Sequence, residues 1–178
     1  MTFNVAQLLK EGIGSSRSYE VGGTVNLTND TGSAVFWGEV TLTRTDKGIW
    51  ATGPLSANVE DTCGRCLDKA EVPVNFRVDD EYLPLVDIET GSISAKAEDT
   101  EDVFTLDSQH TLDLTEAARQ YIIVAMPMKP LCMENCGGIC YSCGTNLNGE
   151  ACSCSDARDS RWDSLLDFSL LMERDSKR

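Results

Sequence analysis

Histidine is nearly absent from this 178-residue sequence, which contains a single one, His110. A catalytic dyad or triad with an imidazole base would have to use that residue, which lies in a polar Ser-Gln-His-Thr stretch typical of a surface or capping position. The sequence contains neither a nucleophile elbow nor a glycine-rich phosphate loop. It therefore predicts a protein that is not an enzyme and that has no small-molecule substrate.

Long apolar runs are also missing. No stretch reaches the roughly 18 apolar residues that a membrane-spanning helix requires. The first ten residues lack the basic leader, apolar core and small-residue cleavage site of a secretory signal. We therefore expect no membrane partner and a cytoplasmic location, where reducing conditions keep most thiols free.

Positive charge is scarce as well. The chain has 15 Lys and Arg residues against 29 Asp and Glu, which gives a formal net charge of -14. Naked nucleic acid is a poor partner for such a surface, because binding to the phosphate backbone depends on basic side chains that release counterions. A basic protein, or a ribonucleoprotein that is contacted through its basic protein component, is the more natural target.

Cysteine, by contrast, is abundant, and its spacing is typical of metal ligands. Two pairs have the Cys-x-x-Cys form with a glycine inside or beside them, so that a tight turn can present both sulfurs to one ion. A structural zinc ion takes four thiolates, and the chain has twice that number. The candidate ligands are Cys63, Cys66, Cys132, Cys136, Cys140, Cys143, Cys152 and Cys154.

The spacing also predicts how these cysteines pair. The last four lie close together in the sequence and can close a compact site over an eight-residue loop. Cys132 and Cys136 are then left to complete the site of the first pair. We expect one or two structural zinc ions, and their binding is inseparable from folding.

Other uses of the cysteines remain open at this point. Disulfides are disfavoured by a reducing compartment, whereas an iron–sulfur cluster would also take four thiolates. A redox dithiol could form from Cys63 and Cys66 if Arg65 lowered a thiol pKa, although no βαβ pattern precedes this pair. Alternatively, only one of the two groups holds metal.

Alternating apolar residues in the first half predict an antiparallel meander of about five strands that forms a curved sheet or an incomplete barrel. A tight hairpin turn is expected at Asp46–Gly48. The predicted strands cover residues 19–27, 35–44, 49–51, 55–59 and 72–82.

Helices complete an α+β fold. Periodic apolar residues predict a short helix over 3–10, a longer one near 113–126 with Asp113 as N-cap, and a final one from about Ser160. An acidic stretch near 92–102 offers little to a core, and we expect a mobile loop there. The expected organisation is a mainly antiparallel β domain over 1–130, followed by a cysteine-rich zinc-knuckle segment and the C-terminal helix over 131–178.

Several motifs together resemble the bacterial YceD family, the large ribosomal RNA subunit accumulation proteins, over essentially the whole chain. One departure is Asp159-Ser160-Arg161, where the family usually reads Asp-Pro-Arg, and it affects only the start of the last helix. The motifs are Cys63-Gly-Arg-Cys66-Leu67, Leu112-Asp113-Leu114, Pro130-Leu131-Cys132, Cys136-Gly-Gly-Ile-Cys140, Cys143-Gly-Thr-Asn-Leu-Asn148 and Cys152-Ser-Cys154.

The resemblance implies a role in the accumulation or processing of 23S ribosomal RNA and in assembly of the large ribosomal subunit, without a known catalytic activity. Family genes often neighbour those of large-subunit ribosomal proteins, which agrees with the acidity of the chain. The expected partner is a basic ribosomal protein or a large-subunit assembly intermediate.

Two other functions compete with this one. A zinc-stabilised RNA-binding module would need Arg65, Lys69, Arg77 and Lys129 on one face, against the net negative charge. A dithiol redox protein is the less favoured alternative.

Overall fold

A computed structural model describes residues 1–27, 32–88, 92 and 103–154. The chain divides into two units, Met1–Cys136 and Gly137–Arg178. Among the described residues, the helices and strands lie in the first unit, in the order β1 (Thr2–Asn4), α1 (Ala6–Lys10), β2 (Ser16–Asn26), β3 (Ser33–Arg44), β4 (Ile49–Thr62), β5 (Lys69–Pro84), β6 (Thr105–Leu106), β7 (Thr111–Asp113) and α2 (Thr115–Ala125).

The main sheet has five strands in sequence order and curls into a half-barrel. Strands β2 to β5 are antiparallel, and the two-residue β6 runs parallel to β5. The α+β class and the curved antiparallel sheet are thus confirmed.

The runs predicted over 49–51 and 55–59 are not separate strands. Ile49, Ala51, Leu55 and Val59 all have odd numbers and are all buried, so one alternating pattern continues through Gly53–Pro54 as β4.

Glycines permit the close approach of β3 and β4 at the middle of the sheet. A Cβ atom on Gly53 would lie 2.1 Å from the carbonyl oxygen of Glu39, and one on Gly38 would lie 2.6 Å from that of Pro54. Pro54 has no N–H to contribute to the ladder at this point. Glycine kinks of this kind are a common means of curving a sheet.

Helix α2 covers the inner, apolar face of the sheet. Ala118 and Ile122 are fully buried in the same core cluster as the inward side chains of the strands. The ring of Tyr121 stacks on that of Phe76 in β5, with 6.4 Å between the ring centroids. The helix ends at Ala125 because Met126, which precedes Pro127, is extended.

The N-terminal region differs from the prediction of a helix over 3–10. Phe3 lies in β1 and pairs with Leu112 of β7, and helix α1 starts only at Ala6. Periodicity within 3–10 could not reveal this pairing, because the partner strand is more than a hundred residues away.

The start of α2 also differs from the prediction. Its first residue is Thr115, and the residue at the N-cap position is Leu114. Asp113 belongs to β7, although its carboxylate accepts the backbone N–H of Thr115 at 2.9 Å. The strand pairing of Asp113 with Thr2 moves the helix start along the chain.

Two predictions lie outside the described residues: the acidic loop, apart from Ser92, and the helix from about Ser160. Within the described ranges, no helix is both long enough and apolar enough to span a membrane.

Candidate metal centres

The first cysteine tetrad (Cys63, Cys66, Cys132 and Cys136) joins the β4–β5 hairpin to the segment after α2. Cys63 and Cys66 lie in the loop of this hairpin, between Thr62 and Lys69. The backbone N–H of Gly64 donates to the carbonyl of Pro130 at 2.8 Å. This hydrogen bond holds the loop beside the segment that carries the other two sulfurs.

The sulfur positions fit a tetrahedral ion. All four Sγ atoms lie within 4.8 Å of one another. Cys63 and Cys136 are 3.8 Å apart and Cys66 and Cys132 are 3.5 Å apart, measured between sulfurs. A tetrahedron with zinc–sulfur bonds of about 2.3 Å has edges of about 3.8 Å. The set is positioned to hold a metal ion, and three of its cysteines are buried in the core cluster.

The second cysteine tetrad (Cys140, Cys143, Cys152 and Cys154) lies entirely in the second unit. Its sulfurs also lie within 4.8 Å of one another, but Cys143 and Cys154 are exposed. A small hairpin supports it, in which Ile139 pairs with Asn146 and the N–H of Leu147 donates to the carbonyl of Gly138 at 2.8 Å. This tetrad too is positioned to hold a metal ion.

The two Cys-x-x-Cys turns are built alike. In each, the first cysteine donates its N–H to the carbonyl five residues later and accepts the N–H four residues later. The donor four residues later has a positive φ in both turns: 64° at Leu67 and 74° at Gly144. The left-handed conformation is natural for glycine and strained for leucine.

In each tetrad one thiol is favoured as a thiolate. The backbone N–H of Cys66 is the main cause that lowers the pKa of Cys63. The side chain of Thr145, whose Oγ1 lies 3.1 Å from the sulfur, is the main cause that lowers the pKa of Cys143. Hydrogen bonding to ionised sulfur explains both shifts.

In each tetrad a neighbouring thiol has a raised pKa. The pKa of Cys154 is raised, chiefly because its thiol hydrogen-bonds to the sulfur of Cys143. At Cys66 the backbone N–H of Asp68 lowers the pKa, but burial and the adjacent sulfurs outweigh it and raise the pKa. Four thiolates this close repel one another, and a cation at their centre removes that cost.

Sequence reasoning did not identify the contacts by which Arg65 and Thr145 support the sulfurs. Arg65 donates from Nη1 to the carbonyl of Cys136 at 3.0 Å, so this side chain braces the first tetrad. Thr145 plays the supporting part at Cys143. The position of Thr145 directly after Gly144, within the cysteine turn, could have indicated its role. The Arg65 contact could not be predicted, because it joins residues that are 71 apart in sequence.

The remaining cations considered for RNA binding do not lie on a single element, and the single histidine lies outside both tetrads. Arg77 donates to the Thr52 hydroxyl at 3.0 Å on the sheet, and Lys69 begins β5. Lys129 follows α2 and is exposed. His110 has a φ of 57°, and its carbonyl accepts the N–H of Val5 at 2.9 Å in the turn before β7. Neither tetrad includes it.

Comparison with known proteins places these features in a family. The chain is 29% identical over 123 residues to an uncharacterized protein of Mycobacterium bovis and to uncharacterized proteins of two Mycobacterium tuberculosis strains. The match covers 68% of this chain and 56% of each relative, so it spans little more than half the length of those proteins. No solved structure matches the chain significantly.

A family model matches residues 51–169, which include both tetrads, the hairpin loop and helix α2. That family is described as the large ribosomal RNA subunit accumulation protein YceD, a description that names no enzymatic activity. The chain belongs to the YceD family.

Proposed function

We propose that this protein is a cytoplasmic, non-enzymatic factor for assembly of the large ribosomal subunit, which supports accumulation or processing of 23S ribosomal RNA. The match to the YceD family model over residues 51–169 carries the proposal. The partner that we propose is a basic ribosomal protein, or an assembly intermediate contacted through one.

The net charge of -14 supports a basic protein as the partner. Ribosomal RNA is a polyanion, and the acidic surface repels it over about one Debye length, roughly 8 Å at physiological salt. A ribosomal protein with excess Lys and Arg is attracted by the same field. Association through such charges is fast and weakens as the salt concentration rises.

We further propose that each tetrad holds one structural zinc ion. Thiolates are ligands that zinc prefers, and four of them complete a tetrahedron with no open position for a substrate. The ion of the first tetrad would stabilise the contact between the β4–β5 hairpin and the segment after α2, and the ion of the second tetrad would stabilise the cysteine-rich loop of the second unit. Elemental analysis of the purified protein should give two zinc ions per chain.

Deletion of the gene and complementation test the cellular role. Loss of the protein should lower the ratio of 23S to 16S ribosomal RNA, and the intact chain should restore the ratio. An unchanged ratio in the deletion strain, measured at several growth temperatures, would contradict the proposal.

Affinity capture of the full chain tests the partner. Large-subunit ribosomal proteins should be retained at about 0.1 M salt and released at about 0.5 M, where the Debye length falls below about 5 Å. A gel-shift with protein-free 23S RNA serves as the control and should show little binding at physiological salt. Tight binding to the naked RNA would favour the RNA-binding module instead.

A further inference from the structure

The outer face of the curled sheet is the surface that the metal centres and the core leave unexplained. This outer face consists of the side chains of β2 to β5 that point away from the core and from helix α2. Two large apolar side chains lie on it in the first half of β3: Val35 is 51% exposed and Trp37 is 47% exposed. Such side chains are common at binding surfaces when they form the floor or wall of a groove.

A groove of about 630 Å³ runs beside Trp37. Across the strands, Trp37 pairs with Gly22 on one side and with Ser56 on the other. Gly22 has no side chain, and the Ser56 hydroxyl donates to Asn75 at 2.8 Å, so the small neighbours leave the indole accessible. Pro54 and Glu39 also line the groove.

The tryptophan at the end of the same sheet differs from Trp37. The indole N–H of Trp50 donates to the Asp79 carboxylate at 2.9 Å. Within the described ranges, the indole N–H of Trp37 has no such acceptor. Trp37 therefore offers both an apolar ring and a free donor, the combination that makes tryptophan a frequent anchor of protein interfaces.

Glutamates lie in directly opposed pairs on both sides of Trp37 along the strand direction. Glu20 faces Glu39 across β2 and β3, and Glu60 faces Glu71 across β4 and β5. Like charges in directly opposed positions of a sheet are destabilising. None of the four forms an ion pair with another residue of the described part of the chain.

The second pair lines a separate hollow of about 350 Å³. Lys69 is the cation at this hollow, and Arg77, the other cation of the outer face, donates to Thr52. They are outnumbered by the four glutamates together with Asp79 and Glu81, so the outer face is acidic around its apolar centre.

We propose that the outer face binds an extended, basic segment of a partner protein, with an apolar side chain on Trp37 and Lys or Arg side chains at the two glutamate pairs. At about 3.3 Å per residue, Glu39 lies about 7 Å along β3 from Trp37. Glu60 lies about 13 Å along β4 from Ser56, the residue opposite Trp37. The two cationic positions of the segment are therefore about six extended residues apart.

Charge complementarity selects this occupant over the alternatives. A second copy of the chain carries the same net charge of -14. Residues 155–178 of the chain itself contain six acidic and five basic residues, so they lack a positive excess. The proposed function also requires a basic partner. The inference rests on that function only for the identity of the partner as a ribosomal protein.

Direct binding of a synthetic peptide tests the surface. The probe is a fluorescent peptide of about nine residues with a Leu, one Arg two residues away on one side and a second Arg four residues away on the other side, and binding to the full chain is followed by anisotropy. Trp37→Ala and the double variant Glu20→Gln/Glu39→Gln should each weaken binding about tenfold or more. A peptide with Glu in place of Arg should not bind.

Matched controls remove the same kinds of group elsewhere. Met128→Ala removes an exposed apolar side chain, and Asp46→Asn/Glu134→Gln removes two exposed charges. These controls should change the affinity by no more than about twofold. Glu20→Gln/Glu39→Gln should also raise the temperature of unfolding, since it removes a repulsion, so weaker binding by this variant cannot come from misfolding.

Two results would overturn the inference. One is that the intact chain fails to bind the basic peptide at low salt, as it would if its own residues 155–178 covered the outer face. The other is that the controls weaken binding as much as the outer-face variants do.

Affinity capture with the same variants separates this inference from the proposed function. If Trp37→Ala retains large-subunit ribosomal proteins as well as the intact chain does, the outer face is not the docking surface but the proposed function stands. If the peptide binds as expected but the intact chain captures no large-subunit component, the surface stands and the proposed function fails.

Discussion

At the scale of single residues, the backbone of Leu67 is strained at a metal-binding turn. It adopts the left-handed conformation at a φ of 64°, yet its side chain is 65% exposed and gains little from packing. Gly144 occupies the equivalent position of the other turn without strain, at a φ of 74°. The left-handed conformation costs a residue with a Cβ atom roughly 1–2 kcal/mol.

Substitutions at these two positions should therefore act in opposite directions. Gly144→Ala should destabilise its metal site by about 1 kcal/mol, because alanine has the Cβ atom that glycine lacks. Leu67→Gly should strengthen the first site, although the greater freedom of glycine in the unfolded chain offsets part of the gain. Competition with a chromophoric chelator measures both metal affinities.

Leu67→Ala is the control for this pair, because alanine and leucine pay the same backbone cost at position 67. It should leave the affinity of the first site unchanged. If Leu67→Ala weakened metal binding as much as Gly144→Ala, the contacts of the side chain would decide the outcome and the strain argument would be wrong.

At the scale of elements, the first tetrad connects parts of the chain that the sheet does not connect. Cys63 and Cys66 are attached to a long hairpin that is fully paired from Ile49–Tyr82 to Thr62–Lys69. Cys132 and Cys136 are attached to a segment that has neither helix nor strand after α2. We therefore expect the hairpin to keep its structure without metal and the segment to lose its structure.

Metal removal should therefore loosen one element selectively. In hydrogen exchange with a chelator present, amides of residues 127–136 should lose protection, while those of β3 and β4 keep theirs. Acidification should have the same effect, because protons compete with metal for the thiolates. Equal loss of protection throughout the sheet would show instead that the whole β unit requires the ion.

The elements also show where sequence patterns succeed and fail. The long strands could be predicted because one face of each is buried, so that polar and apolar residues alternate. The pairing of Phe3 with Leu112 and the parallel strand β6 could not be predicted, since two or three residues carry no periodicity of their own. The break expected at Gly53–Pro54 reflects local propensity that the packing of β4 overrides.

At the scale of the whole molecule, the division of the cysteines into two groups of four could be predicted from their separation in the sequence. Four of the eight cysteines lie within 15 residues of one another, Cys140 to Cys154, so they can meet with no help from the rest of the fold. The other four depend on the fold, because Cys66 and Cys132 are 66 residues apart. That these four cysteines form one site could be inferred only by elimination. Their burial could not be predicted from the sequence.

This difference in burial predicts how the two proposed zinc ions would leave the protein. Three cysteines of the first tetrad are buried in the core, whereas Cys143 and Cys154 of the second are exposed. A chelator or a thiol reagent reaches exposed sulfur directly, but it reaches buried sulfur only after a local opening of the structure. Zinc should therefore leave in two kinetic phases of equal amplitude, the fast phase from the second tetrad.

Single substitutions assign the phases. Cys143→Ser should remove the fast phase and halve the zinc content, and Cys63→Ser should remove the slow phase. The slow phase should speed up with mild denaturant, since it reports opening of the core, and the fast phase should not. Release in one phase from the intact chain, or loss of both ions from either variant, would mean that the two tetrads behave as one cooperative structure.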